Sequence, residues 1–130
     1  MTITINEEIT FKTNRNTLYQ ALTDSKQFSE VTGGAPTDIQ AEAGGSFSLF
    51  GGMIEGRMIE LVPNERVVQA WRAGNWDPGV YSIVKFEFQQ QGNETLLIFD
   101  HIGFPAGQGE HLKLGWKENY WLPLEKYVSE

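Results

Sequence analysis

Cysteine does not occur anywhere in the 130 residues, which excludes disulfides, thiolate nucleophiles and zinc sites of the finger type. Long apolar runs are missing too. The longest, Leu96–Phe99, is far too short to cross a bilayer. The first residues have neither a basic region nor a long apolar core, so no secretory signal is read, and the expected location is the cytoplasm. Basic residues are scarce: 10 Lys and Arg stand against 17 Asp and Glu, a net charge of −7. Nothing resembles the clustered positive charge that nucleic acid or an anionic membrane requires. Nucleotide binding also lacks support, because no glycine-rich word has a P-loop lysine or sits between a strand and a helix.

What is present is glycine, 14 in all, and it punctuates the chain as turns. Residues Thr2 to Lys12 alternate apolar and polar as a first strand. Thr13 or Asn14 can then cap a short helix carrying Leu18, Ala21 and Leu22. Thr23-Asp24 reads as a second cap, for a helix bearing Phe28 and Val31 that stops at Gly33-Gly34. Strands are predicted at Ser46–Phe50, Ile54–Val62, Arg66–Arg72, Val80–Gln89 and Thr95–Ile102, with a hairpin at Gln90–Asn93. From Gly109 onward, Leu112, Trp116, Tyr120, Pro123, Leu124 and Tyr127 share one face of a single long helix, with Trp121 and Val128 at its flank. Pro123 cannot donate to the Asn119 carbonyl and should kink that helix. No linker or repeat divides the chain, so residues 1–130 form one domain.

Parity sorts the strands into faces. Phe47, Leu49, Ile54, Met58, Val67, Gln69 and Trp71 fall inward. So do Val84, Phe86, Phe88, Leu97, Phe99 and His101, whereas Arg72, Lys85, Glu87 and Asp100 fall outward. Strict alternation would also turn Glu60 inward, and a bulge or bend near Leu61 is expected to release it. The expected architecture is α+β, a bent antiparallel sheet gripping an aromatic C-terminal helix.

Longer words carry a family resemblance. Gly44-Gly45-Ser46-Phe47, Gly51-Gly52-Met53-Ile54-Glu55-Gly56, Glu60-Leu61-Val62-Pro63, Val67–Arg72 and Trp76-Asp77-Pro78-Gly79 run in order with His101–Pro105, Gly115-Trp116, Tyr120-Trp121 and Pro123-Leu124. Over essentially the whole chain this resembles the C-terminal domain of activators of the ninety-kilodalton heat-shock chaperone ATPase. The resemblance implies the START-related (Bet v 1-like, SRPBCC) helix-grip fold. That fold has a curved seven-stranded antiparallel sheet, two short helices and a long C-terminal helix around a hydrophobic cavity. It also implies a heat shock protein 90 family chaperone as a partner. The N-terminal domain of the two-domain activators, with its Asn- and Trp-containing motif, has no counterpart here, so weak contact is expected without strong stimulation.

Catalysis has few residues to work with. His101 is the one candidate acid or base, and the competing reading is a core histidine bonded to a backbone carbonyl or a buried water. His111 reads as a solvated helix start, and the two histidines lack metal-site spacing. Glu42, Glu55, Glu60, Glu87 and Glu94 lie on outer faces or turns. The reading is therefore a non-enzymatic binding protein with no cofactor or metal, contacting a chaperone, an apolar small molecule, or both. It is expected as a monomer or weak homodimer. The expected cavity lining is Phe47, Met58, Trp71, Phe86, Phe99, His101, Trp116 and Tyr120. A cyclase-like enzyme using His101, or a plain ligand carrier or sensor, is the alternative.

Overall fold

Residues 4–129 are described by a computed structural model, in which the period-two segments pair into one antiparallel sheet. The strands are β1 (Thr4–Phe11), β2 (Asp38–Ile39), β3 (Ser46–Leu49), β4 (Ile54–Val62), β5 (Arg66–Ala73), β6 (Ser82–Gln91) and β7 (Glu94–Ile102). Their spatial order is β1-β7-β6-β5-β4-β3-β2, so β2 to β7 form a meander and β1 returns to pair with β7. Two short helices, α1 (Arg15–Thr23) and α2 (Ser25–Val31), follow β1. The last helical segment comprises α3 (Gly109–Trp116), a π-turn at Lys117–Trp121 and α4 (Leu122–Val128). The anticipated participation of Thr2 and Ile3 in β1 lies outside the described residues.

The helix caps follow their chemistry. Asn14 accepts from the Thr17 amide at 2.8 Å and Asp24 from the Gln27 amide at 3.0 Å, each satisfying a donor that the first turn leaves free. Gly33 and Gly34 take φ of +83° and +104°, and the Gly34 amide closes on the Ser29 carbonyl.

The inward face is as alternation predicts: Phe47, Met58, Val67, Trp71, Val84, Phe86, Phe88, Leu97 and Phe99 are all buried. Ile54 is only partly so. Register breaks between Met58 and Glu60, two residues earlier than the anticipated Leu61. Ile59 is the extra residue, and Glu60 swings out to meet Arg66 Nε at 2.6 Å.

Three expectations need correction. The two-residue β2 supplies a strand too short to leave a periodic signal. Alternation puts Arg72 on the outward, exposed face, yet it is 8% exposed. The loop after β5 folds over it, so that its guanidinium donates to the Trp76, Asp77 and Val80 carbonyls and pairs with Glu55 at 2.8 Å. Finally, the closing helix is not one regular helix. Because Pro123 has no amide, the backbone widens just before it, and the Leu122 amide reaches the Lys117 carbonyl five residues back. That extra residue in the turn rotates Trp121 from the flank into the core, where its indole is 5% exposed and donates to Glu7 Oε1.

Candidate functional site

His101, at the end of β7, is fully buried and both ring nitrogens are engaged. Trp116 Nε1 lies 3.0 Å from His101 Nδ1, and Ser82 Oγ lies 2.7 Å from His101 Nε2. An indole N–H only donates, so Nδ1 must carry a lone pair and the proton of the neutral ring sits on Nε2. Ser82 accepts that proton and passes its own to the Trp71 carbonyl at 2.8 Å. The partners are thus two side chains, neither the backbone carbonyl nor the buried water that a core histidine was expected to find. Burial pushes the His101 pKa down to about 3. A second proton on Nδ1 would also confront the indole donor head on. His101 is therefore a neutral strut between β7, β6 and α3.

The principal cleft lies between the β3–β4 and β5–β6 connections and the inner face of α3 with the π-turn, about 580 Å³ and partly open to solvent. Trp71, Trp116 and Tyr120 of the eight anticipated lining residues border it. Phe47, Met58 and Phe86 instead surround a void of only about 10 Å³, which Tyr120 also touches. Phe99 and His101 border neither space, lying deeper in the core with Phe99 4.4 Å from Trp116 ring to ring.

Several wall residues had not been singled out. Trp76 packs edge-on to Trp71 at 5.7 Å, held there by the turn that Arg72 anchors. Phe50 takes a left-handed φ of +53° followed by Gly51 at +66° and Gly52 at +95°, an arrangement costly for a phenylalanine. Its ring lies edge-on to Phe28 and Tyr120 at 5.8 and 5.9 Å. The available signal was Trp76 inside one turn word and Phe50 directly before another. The rim carries Asn75, Gln108, His111 and Asn119, while no Lys, Arg, Asp or Glu among the described residues lines the cleft.

Two buried polar atoms in these walls, Trp71 Nε1 and Tyr120 Oη, have no hydrogen-bond partner. Burial raises the Tyr120 phenol pKa, and the nearby Trp71 indole offsets part of that rise without reaching hydrogen-bonding geometry. Among the described residues no group of three His, Asp or Glu side chains is placed to hold a metal ion.

Comparison with known proteins follows the same outline. A solved HSP90 activator from Plasmodium falciparum superposes with a TM-score of 0.92 at 26% identity, covering 98% of this chain and 97% of that one. The Aha1 dimer from Colwellia psychrerythraea shares the fold, with a TM-score of 0.81 at 20% identity over 98% of this chain and 96% of that one. The human protein named activator of 90 kDa heat shock protein ATPase homolog 1 is 31% identical over 124 residues, which is 95% of this chain and 36% of the human one. The chain thus spans about a third of the length of the human protein and of other curated relatives it matches. Among the described residues no helix is long and apolar enough to cross a membrane. Residues 12–129 match the family described as activator of Hsp90 ATPase homolog 1-like protein, and the chain belongs to that family.

Proposed function

We propose that this chain is a non-enzymatic, co-chaperone-type domain that docks weakly on a 90 kDa heat-shock chaperone in the cytoplasm. The observation that carries this reading is the 31% identity to a named activator of that chaperone's ATPase across 95% of the chain. Its chemistry agrees. His101 is sealed and held neutral, and among the described residues no carboxylate lines the cleft, so the exposed His111 at its rim has no convergent acid or base to work with. With a net charge of −7, the docking face should seek a basic surface on the chaperone. Association should then weaken as salt rises past about 0.15 M, where the Debye length is near 8 Å.

Titrating a purified 90 kDa chaperone with the protein at low and high salt, while following binding and ATP turnover together, tests this. Weak, salt-sensitive binding with little stimulation is expected. No binding at low salt overturns the docking, and strong stimulation overturns the claim that the domain only docks. Sedimentation across a concentration series distinguishes a monomer from a weak homodimer.

A second reading, that the cleft holds an apolar small molecule, rests on its aromatic walls and its volume of about 580 Å³.

A further inference from the structure

We infer that the cleft receives a neutral, planar, largely apolar molecule whose buried end carries a hydrogen-bond acceptor, taken by the Tyr120 hydroxyl with the Trp71 indole behind it. This deepens the small-molecule reading and rests on it. The starting point is Trp71 Nε1 and Tyr120 Oη, which are buried and lack partners in side chains that line the cleft. Native interiors seldom tolerate such atoms without a use.

The donor arithmetic sets the ligand's chemistry. An indole N–H can only give, and a phenol can accept that proton while giving its own. If the two side chains close on each other, Trp71 is satisfied and Tyr120 still presents an O–H with nothing to receive it. Whatever completes the chain must bring an acceptor, such as a ketone, ester or ether oxygen. A second donor group would leave the chain incomplete.

The walls set the rest. Phe50, Trp71, Trp76 and Trp116 present ring faces and edges, which favours a flat partner. A carboxylate would be a strong acceptor, but among the described residues no Lys or Arg lines the cleft and His111 stands at its rim. Nothing therefore offsets the desolvation of an anion at the buried end, and the ligand is neutral. Asn75, Gln108 and Asn119 at the rim suit a more polar outer end.

Both Tyr120 Oη and Trp71 Nε1 are screened from bulk water, so the wall must yield for the acceptor to reach them. Phe50, strained at φ +53° and edge-on to Tyr120, is the residue we expect to swing aside. The rival use of the hydroxyl is the void of about 10 Å³ on its other side, which has room for no more than a single water.

Three probes with one ring system separate these ideas: 2-acetylnaphthalene carries a neutral acceptor, 2-ethylnaphthalene has none, and 2-naphthoate is an anion. Binding is followed by quenching of tryptophan fluorescence and checked by calorimetry. The acetyl compound should bind about tenfold more tightly than the ethyl compound, the scale of one hydrogen bond, with naphthoate weakest. Tyr120→Phe should erase the acetyl preference while leaving ethyl binding unchanged. Gly115→Leu should block all three. A Cβ at Gly115 meets nothing nearer than Asn119 Nδ2 at 3.8 Å, so that side chain enters the cleft without disturbing the helix. Circular dichroism of both variants confirms folding. Equal affinity for all three probes, or an acetyl preference that survives Tyr120→Phe, overturns the acceptor assignment while the cleft reading stands. No binding of any probe up to about 1 mM, the weak end of measurable affinity, overturns the cleft reading itself.

Discussion

Acid should unfold this protein partly through one histidine, and the effect can be isolated. His101 is held neutral in the fold with a pKa of about 3, whereas in an unfolded chain it titrates near 6.5. Between those values the unfolded state binds the extra proton and the native state does not. The stabilisation is therefore complete above pH ~6.5 and is lost progressively as pH falls towards 3. Integrating the linkage relation from pH 7.5 to 5 gives a loss of about 2 kcal/mol from this group, a large share of the 5–15 kcal/mol typical of a domain.

His101→Gln removes the titration while keeping a side chain that can donate to Ser82 and accept from Trp116. At pH 7.5 the variant should be less stable by about 1–2 kcal/mol, the scale of an imperfect hydrogen bond. Its stability should then fall less on acidification, so that the two proteins converge near pH 5. The assay is urea unfolding followed by tryptophan fluorescence at half-unit pH steps, in backgrounds carrying His111→Gln so that the exposed histidine cancels. Carboxylates are common to both proteins and also cancel in the difference. Parallel stability curves across this range would refute the argument, because they would mean that His101 titrates alike in the folded and unfolded chain.

Trp116→Ala should cost about 4–5 kcal/mol in the same assay, the upper end for a buried aromatic, because it strips the ring from Phe99 and Tyr120 and leaves His101 Nδ1 without its donor. A loss below about 2 kcal/mol would mean that the cleft side of the indole is already free of packing. Gly56→Ala should destabilise by about 3 kcal/mol or more, since a Cβ there would sit 1.8 Å from the Ala70 carbonyl oxygen and 2.7 Å from the Phe47 ring. Near-normal melting of that variant would show that β4 and β5 can part more easily than their register suggests. Tyr120→Phe should raise the stability of the ligand-free protein by about 1 kcal/mol, because it deletes a buried hydroxyl that has no partner. A loss of stability would show that the hydroxyl is satisfied after all.

The sheet was legible because one face is wet and the other dry. Wherever that contrast held, as in Val84–Phe88 and Leu97–His101, parity placed each side chain. It failed at Arg72, where a loop from farther along the chain buries an outward residue, and alternation carries no information about such a cover. The cleft was legible only in outline. Trp71, Trp116 and Tyr120 were in view as inward aromatics, but which inward aromatics face a gap and which fill the core depends on how the closing helix is set. That setting comes from the π-turn before Pro123, and the proline announced a disturbance without announcing its form. The links from His101 to Ser82 and Trp116 bridge 19 and 15 residues, so no local pattern could reveal them.

The place of β1 has a consequence for the order in which the chain can fold. Every other neighbouring pair of strands is joined by a short connection, but Thr4 must wait for Ile102 and Phe11 for Thr95. On a ribosome, β1 emerges long before β7 exists, and the loop that must close spans all the strands between them. Meanwhile Ile5, Ile9 and Phe11 are a strand without a sheet, the condition in which chains pair with one another. Glu7 and Glu8 sit in the middle of that stretch, where like charge disfavours pairing with another copy. Once β7 is made, Thr95 ties its hydroxyl to the Thr13 carbonyl and Glu7 accepts from the Trp121 indole, so β1 is locked by elements synthesised well after it.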